Sequence, residues 1–261
     1  ATRATRDAAS RRDARRRTMS RSPPPPDGAA PTRDDVDYDD PDVVYDDATA
    51  RDALRLFVKR ALDEHREGGN RARYYELLDA TRGGDEGEDD GAVALMDALG
   101  SCVTLIDARA HEQLVDRALV GVDLWRCGEK MREAALRFGT QLVCAQGGAF
   151  SGGVVGKLVD SFNDPSGSAW WRDDGDGNGT AMREGEGTIG RVVVGDLTRA
   201  LGNILRLVPQ SERAARKALR AGVPHKTAPK DVQIGFMRAA FALVESEDGA
   251  GLRDDFLKVV V

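Results

Sequence analysis

Leu95-Met-Asp-Ala-Leu-Gly-Ser-Cys-Val-Thr-Leu-Ile-Asp-Ala-Arg-Ala-His-Glu-Gln-Leu-Val-Asp-Arg-Ala-Leu119 decides the fold class. Met96, Leu99, Val103 and Ile106 fall on one helical face, and a second apolar stripe follows a polar break at residues 107–110. That second stripe is Leu114, Val115, Ala118, Leu119 and Val122. Spacings of three and four residues place side chains on a single side of an α-helix. The stretch therefore predicts a helix, a corner and a second helix, each with one stripe to bury.

Similar stripes recur in both directions. Leu54, Phe57, Val58, Ala61 and Leu62 predict a helix from about Ala48 that stops at Gly68-Gly69, followed by a short helix over 71–80. Downstream, Met131, Ala134, Ala135, Phe138, Leu142 and Ala145 form one run. Val154, Val155, Leu158, Val159 and Phe162 form another, stopped by Asn163-Asp164-Pro165. Helix resumes with Val194, Leu197, Leu201, Ile204, Leu205 and Val208 up to Pro209. Further segments follow over 214–219, over 232–244 and from Leu252 to the end, divided by Pro224 and Pro229. No β-alternation competes with this pattern. Helix pairs repeating every few tens of residues predict an all-α, HEAT/armadillo-like right-handed helical-hairpin solenoid, with a compact bundle as its structural rival. The apolar ending Phe256-Leu-Lys-Val-Val-Val261 lacks the polar face of a terminal repeat, so the natural protein is expected to continue past it.

Charge sets the outer limits of the folded part. The chain has 261 residues, a formal charge of −6 and 31% charged side chains. Residues 1–22 carry eight arginines against Asp7 and Asp13, and residues 33–47 carry eight aspartates against Arg33. Such like-charge blocks repel themselves, so 1–47 is expected to be a disordered basic, then acidic, tail. An organelle transit peptide is the rival reading of the arginine-rich start, and Asp7 and Asp13 count against it. The repeat domain then covers 48–261, with 166–190 as an inserted, Gly-rich acidic loop. No apolar run approaches the ~20 residues of a membrane span. Three cysteines, at 102, 127 and 144, form no framework and are expected as reduced, buried thiols.

No residues assemble into a catalytic, cofactor or metal site on paper. Asp174, Asp176, Asn178 and Gly179 imitate the start of an EF-hand loop, but Gly185 stands where the bidentate glutamate belongs. Gly185-Glu-Gly-Thr-Ile-Gly190 spells a dinucleotide fingerprint without the strand before it. His65, His111 and His225 have no ligand spacing with a cysteine, and His111 at a helix start is expected on the surface. Ser151 lacks the nucleophile-elbow pattern. Trp125 is read as a packing wedge, with an exposed partner anchor as the alternative; Trp170 and Trp171 precede the acidic loop. Ser22 before Pro23 offers a proline-directed phosphorylation site. The chain is expected not to be an enzyme, to need no cofactor, and to act on no small-molecule substrate.

The order of segments resembles the growth-regulated initiation factors of RNA polymerase I, a HEAT-repeat family. The likeness rests on Leu99-Gly-Ser-Cys-Val-Thr-Leu-Ile-Asp-Ala-Arg-Ala-His-Glu-Gln-Leu-Val115, close to a Leu-Ile-Asp-x-Arg-x-His-Glu-x-Leu-Val run in plant members. Leu124-Trp125, Phe138–Gln146, Val159–Phe162, the acidic insertion and Leu207-Val208-Pro209 follow in the family's order. Gly147, Gly148, Gly152, Gly153 and Gly156 depart from it by thinning a helix-pair junction, at roughly 1 kcal/mol per interior glycine. The resemblance implies a nuclear, nucleolar factor that binds polymerase I through its stalk and docks it to a promoter-bound core factor at ribosomal DNA. Contact with nucleic acid would be weak and confined to the basic N-terminal arm, and no membrane is involved. A generic HEAT/armadillo adaptor in nuclear transport or ribosome assembly is the alternative.

Overall fold

Apolar stripes spaced by three and four residues become helices here, and the computed structural model describes residues 47–81, 90–163 and 186–260. The helices are α1 (Asp47–Arg66), α2 (Ala72–Ala80), α3 (Asp90–Ser101), α4 (Glu112–Val115), α5 (Glu129–Ala145), α6 (Ser151–Asp160), α7 (Glu186–Leu207), α8 (Glu212–Gly222), α9 (Lys230–Val244) and α10 (Arg253–Val260). Among the described residues there is no strand. The odd-numbered helices pack in sequence, α1 on α3, α3 on α5, α5 on α7 and α7 on α9. On the other side α6 packs on α8 and α8 on α10. Two parallel layers of neighbour-on-neighbour contacts make a helical solenoid. One contact skips a pair: the turn Ser161–Asn163 meets α9, where Phe162 sits edge-on to Phe236 with ring centroids 6.3 Å apart.

Nearly all the stripe residues form the core. Leu99, Leu114, Leu142, Val155, Val159, Leu197, Leu201, Ile204 and Phe236 have no measurable exposure. Ala145 departs from its stripe and faces solvent, because α5 ends there in a glycine turn. Gly147 and Gly148 adopt φ of 57° and 89°, values that favour glycine, and the Gly148 N–H donates to Val143 O at 3.1 Å. These two glycines close the helix rather than weaken its interior. Glu186 already lies in α7, so the last part of the expected 166–190 loop is helical. The Trp170-Trp171 pair, the Asp174–Gly179 run, the basic arm and Ser22 lie outside the described residues.

The opening stretch folds less regularly than its stripe. α3 stops at Ser101, a 3-10 turn spans Val103–Leu105, and Ile106 is extended, yet Met96, Leu99, Val103 and Ile106 are all buried. The corner is held by Asp107, whose Oδ1 accepts the N–H groups of Arg109 and Ala110, both at 2.8 Å. His111, expected on the surface, is completely buried. Its Nδ1 accepts the Asp107 N–H at 2.8 Å, so Nε2 carries the proton and donates to Leu62 O of α1 at 3.1 Å. His65 stacks on Tyr74 at 3.7 Å and donates from Nε2 to Ala110 O at 2.9 Å. The corner thus plugs into the first helix pair.

Other polar ties join successive pairs. Trp125 is the wedge, buried with its Nε1–H donating to Ser161 O at 2.8 Å. Arg132 of α5, 6% exposed at its side chain, donates from Nε to Asp196 Oδ2 of α7 at 3.0 Å. Asn163 Nδ2 donates to Gly222 O at 2.6 Å, and the Ser151 and Ser211 hydroxyls meet at 2.8 Å.

Removing the partner of a buried guanidinium leaves an uncompensated charge, so Asp196→Ala lowers unfolding stability by about 3 kcal/mol, read from the urea midpoint. Burial pushes the His111 pKa below its ordinary 6.5, partly opposed by the bond to Leu62 and with His65, Asp107 and Arg66 as charged neighbours. The unfolded chain therefore takes up the proton first, and the stability that neutral His111 contributes is present above about pH 6.5 and falls as the pH drops below it. His111→Gln should flatten that part of the stability–pH curve; an unchanged slope would assign it elsewhere.

Candidate interaction surface

Cys102 and Cys127 are buried as expected, whereas Cys144, expected buried as well, is only partly covered. Burial raises the pKa values of Cys102, Cys127 and Cys144, so each favours the unreactive thiol. Among the described residues no three His, Cys, Asp or Glu side chains group as a metal site. His65, Tyr74 and His111 are gathered by the corner, with His65 and His111 ring centroids 5.6 Å apart, and they serve packing. Ser151 faces Ser211 instead of a base.

The surface is more informative. After α4 the backbone widens into a π-helical turn over Asp116–Val120, which pushes Val120 outward to 56% exposure. Opposite stands α6, whose Gly152, Gly153 and Gly156 would each have open space around an added Cβ. Between them lies a cleft of about 200 Å³ walled by Val115, Leu119, Val120, Phe150 and Val154, with Gly153 at its lip. Lys157 also lines it, its Nζ donating to Val120 O at 3.1 Å. Glu112 and Asp116, four residues apart on the lining, stand exposed and pair with no cation among the described residues. Behind the cleft Gly139 of α5 allows close approach: an added Cβ would lie 3.2 Å from Val154 and 3.5 Å from Leu119.

A second surface lies on α8, where Arg213, Lys217 and Arg220 form an exposed basic stripe while Arg216 pairs with Glu212 and Asp255. A charged helical stripe is ordinary for a solvated face.

Residues 47–261 match the family model for the RNA polymerase I specific transcription initiation factor RRN3. The chain belongs to the RRN3 family. The crystal structure of RNA polymerase I transcription initiation factor Rrn3 is similar at a TM-score of 0.58 and 15% identity, over 83% of this chain and 39% of that one. That likeness shows the fold, the RRN3-type helical solenoid, and this chain spans about two fifths of the solved protein's length. No curated protein sequence matches the chain significantly. The RRN3 match takes in both the buried corner at His111 and the α4–α6 cleft. Sequence reasoning did not find the cleft, since its signal is spread over glycines and a π-turn that carry no periodicity.

Gly153→Ala should stabilise the protein by roughly 0.5–1 kcal/mol, because the site is exposed, helical and unobstructed. Gly139→Val should cost about 2 kcal/mol by overpacking the same junction. Parallel thermal unfolding of the two variants tests both signs.

Proposed function

We propose that this chain works in transcription initiation by RNA polymerase I, in the nucleus and its nucleolus, as a scaffold that brings the polymerase to ribosomal DNA promoters. The match of the RRN3 family model across residues 47–261 carries this reading. A stacked helical array supports it physically. Each pair adds surface, and large partners are held on such surfaces by many modest contacts. The finer reading is that the stalk of the polymerase docks on one face and a promoter-bound core factor on another. The basic N-terminal arm would then supply the weak contact with nucleic acid, by attraction to phosphates.

Affinity capture from nuclear extract with the tagged full chain tests this. Recovery of polymerase I subunits, stalk subunits among them, is the expected outcome. Import receptors or ribosomal proteins in their place would overturn it in favour of a general adaptor.

A further inference from the structure

We infer that the cleft between α4 and α6 is a docking slot for a partner segment that presents an aliphatic or aromatic side chain next to a lysine or arginine. The inference stands on the described helices alone and holds whichever protein supplies the segment.

Three observations converge. The cleft is apolar inside: Val115, Leu119, Phe150 and Val154 wall a volume of about 200 Å³, and Val120 is left 56% exposed at its edge. An aliphatic or aromatic side chain entering it removes from water both its own surface and that of Val120. The α6 wall is open at one point, because Gly153, which lines the cleft, has free space where a Cβ would be. An occupant can come close to the α6 backbone there, beside Val154. The third observation is charge. Glu112 and Asp116 lie four residues apart on the same side and have no cation partner among the described residues. Two like charges at this spacing repel each other, and a bound cation relieves that repulsion.

Among the described residues the one cation lining the cleft is Lys157, and its Nζ is already engaged, donating to Val120 O. The two carboxylates on the lining therefore favour a basic residue on the occupant. An acidic occupant would meet two carboxylates and gain only a lysine already engaged. The pairing of an apolar anchor with a flanking charge is the usual division of labour in such slots, the anchor giving affinity and the charge fixing direction.

The test is a positional-scanning peptide array with a fixed central leucine or phenylalanine, probed with the full chain, followed by anisotropy titration of the best labelled peptide. Selection of lysine or arginine beside the anchor is expected. Glu112→Lys combined with Asp116→Lys should weaken binding by at least about tenfold. Gly153→Leu, which fills the cleft from a position with free space, should abolish binding while the circular-dichroism spectrum stays native and the unfolding midpoint does not fall. No selection, selection of acidic flanks, or binding that survives Gly153→Leu would each overturn the inference. A charge-reversed chain that binds as well as the parent would do the same.

Discussion

A helix with one apolar stripe must hide it, and in this chain each stripe is hidden against the preceding and following pair. α5 shows the constraint at its tightest. Its apolar side has to meet α3, α6 and α7 at once, and at Gly139 an added Cβ would already press on Val154 at 3.2 Å and touch Leu119 at 3.5 Å. Only a small residue lets the facing helix approach so closely at a well-packed crossing. The spacing of the α4–α6 layer, and hence the width of its cleft, follows from that approach.

Apolar stripes alone would allow neighbouring pairs to slide along one another. The polar ties remove that freedom, since a buried donor or acceptor that loses its partner costs more than a slipped methyl group. His111 on Leu62, Trp125 on Ser161, Arg132 on Asp196 and Asn163 on Gly222 each join one pair to another at a single position. Their distribution along the chain means that register is set locally, junction by junction. The aromatic contact of Phe162 with Phe236 adds a longer tie beside the place where the chain leaves for residue 164.

The stripes were legible because period and burial coincide: Leu99, Leu142, Leu201 and Ile204 sit where a 3.6-residue repeat puts them and are fully covered. His111 was misread for a physical reason. A histidine can be buried neutral when one ring nitrogen accepts and the other donates, and its donor and acceptor, Asp107 N–H and Leu62 O, are four and forty-nine residues away. The near partner is a backbone group without a sequence signature, and the far one exists only after folding. The break of α3 at Ser101 was hidden in the same way, because a 3-10 turn keeps Val103 and Ile106 pointing inward and preserves the stripe's appearance. Cys102 and Cys127 proved buried as their apolar surroundings suggested, whereas the cleft depends on a backbone widening that leaves no mark in composition.

The two-layer arrangement also has a mechanical side. Because most of the interlocking is between adjacent pairs, a small rotation at one junction is passed on to the next without breaking either, and such rotations accumulate with length. In a stack tied mainly neighbour to neighbour, compliance therefore grows with the number of pairs.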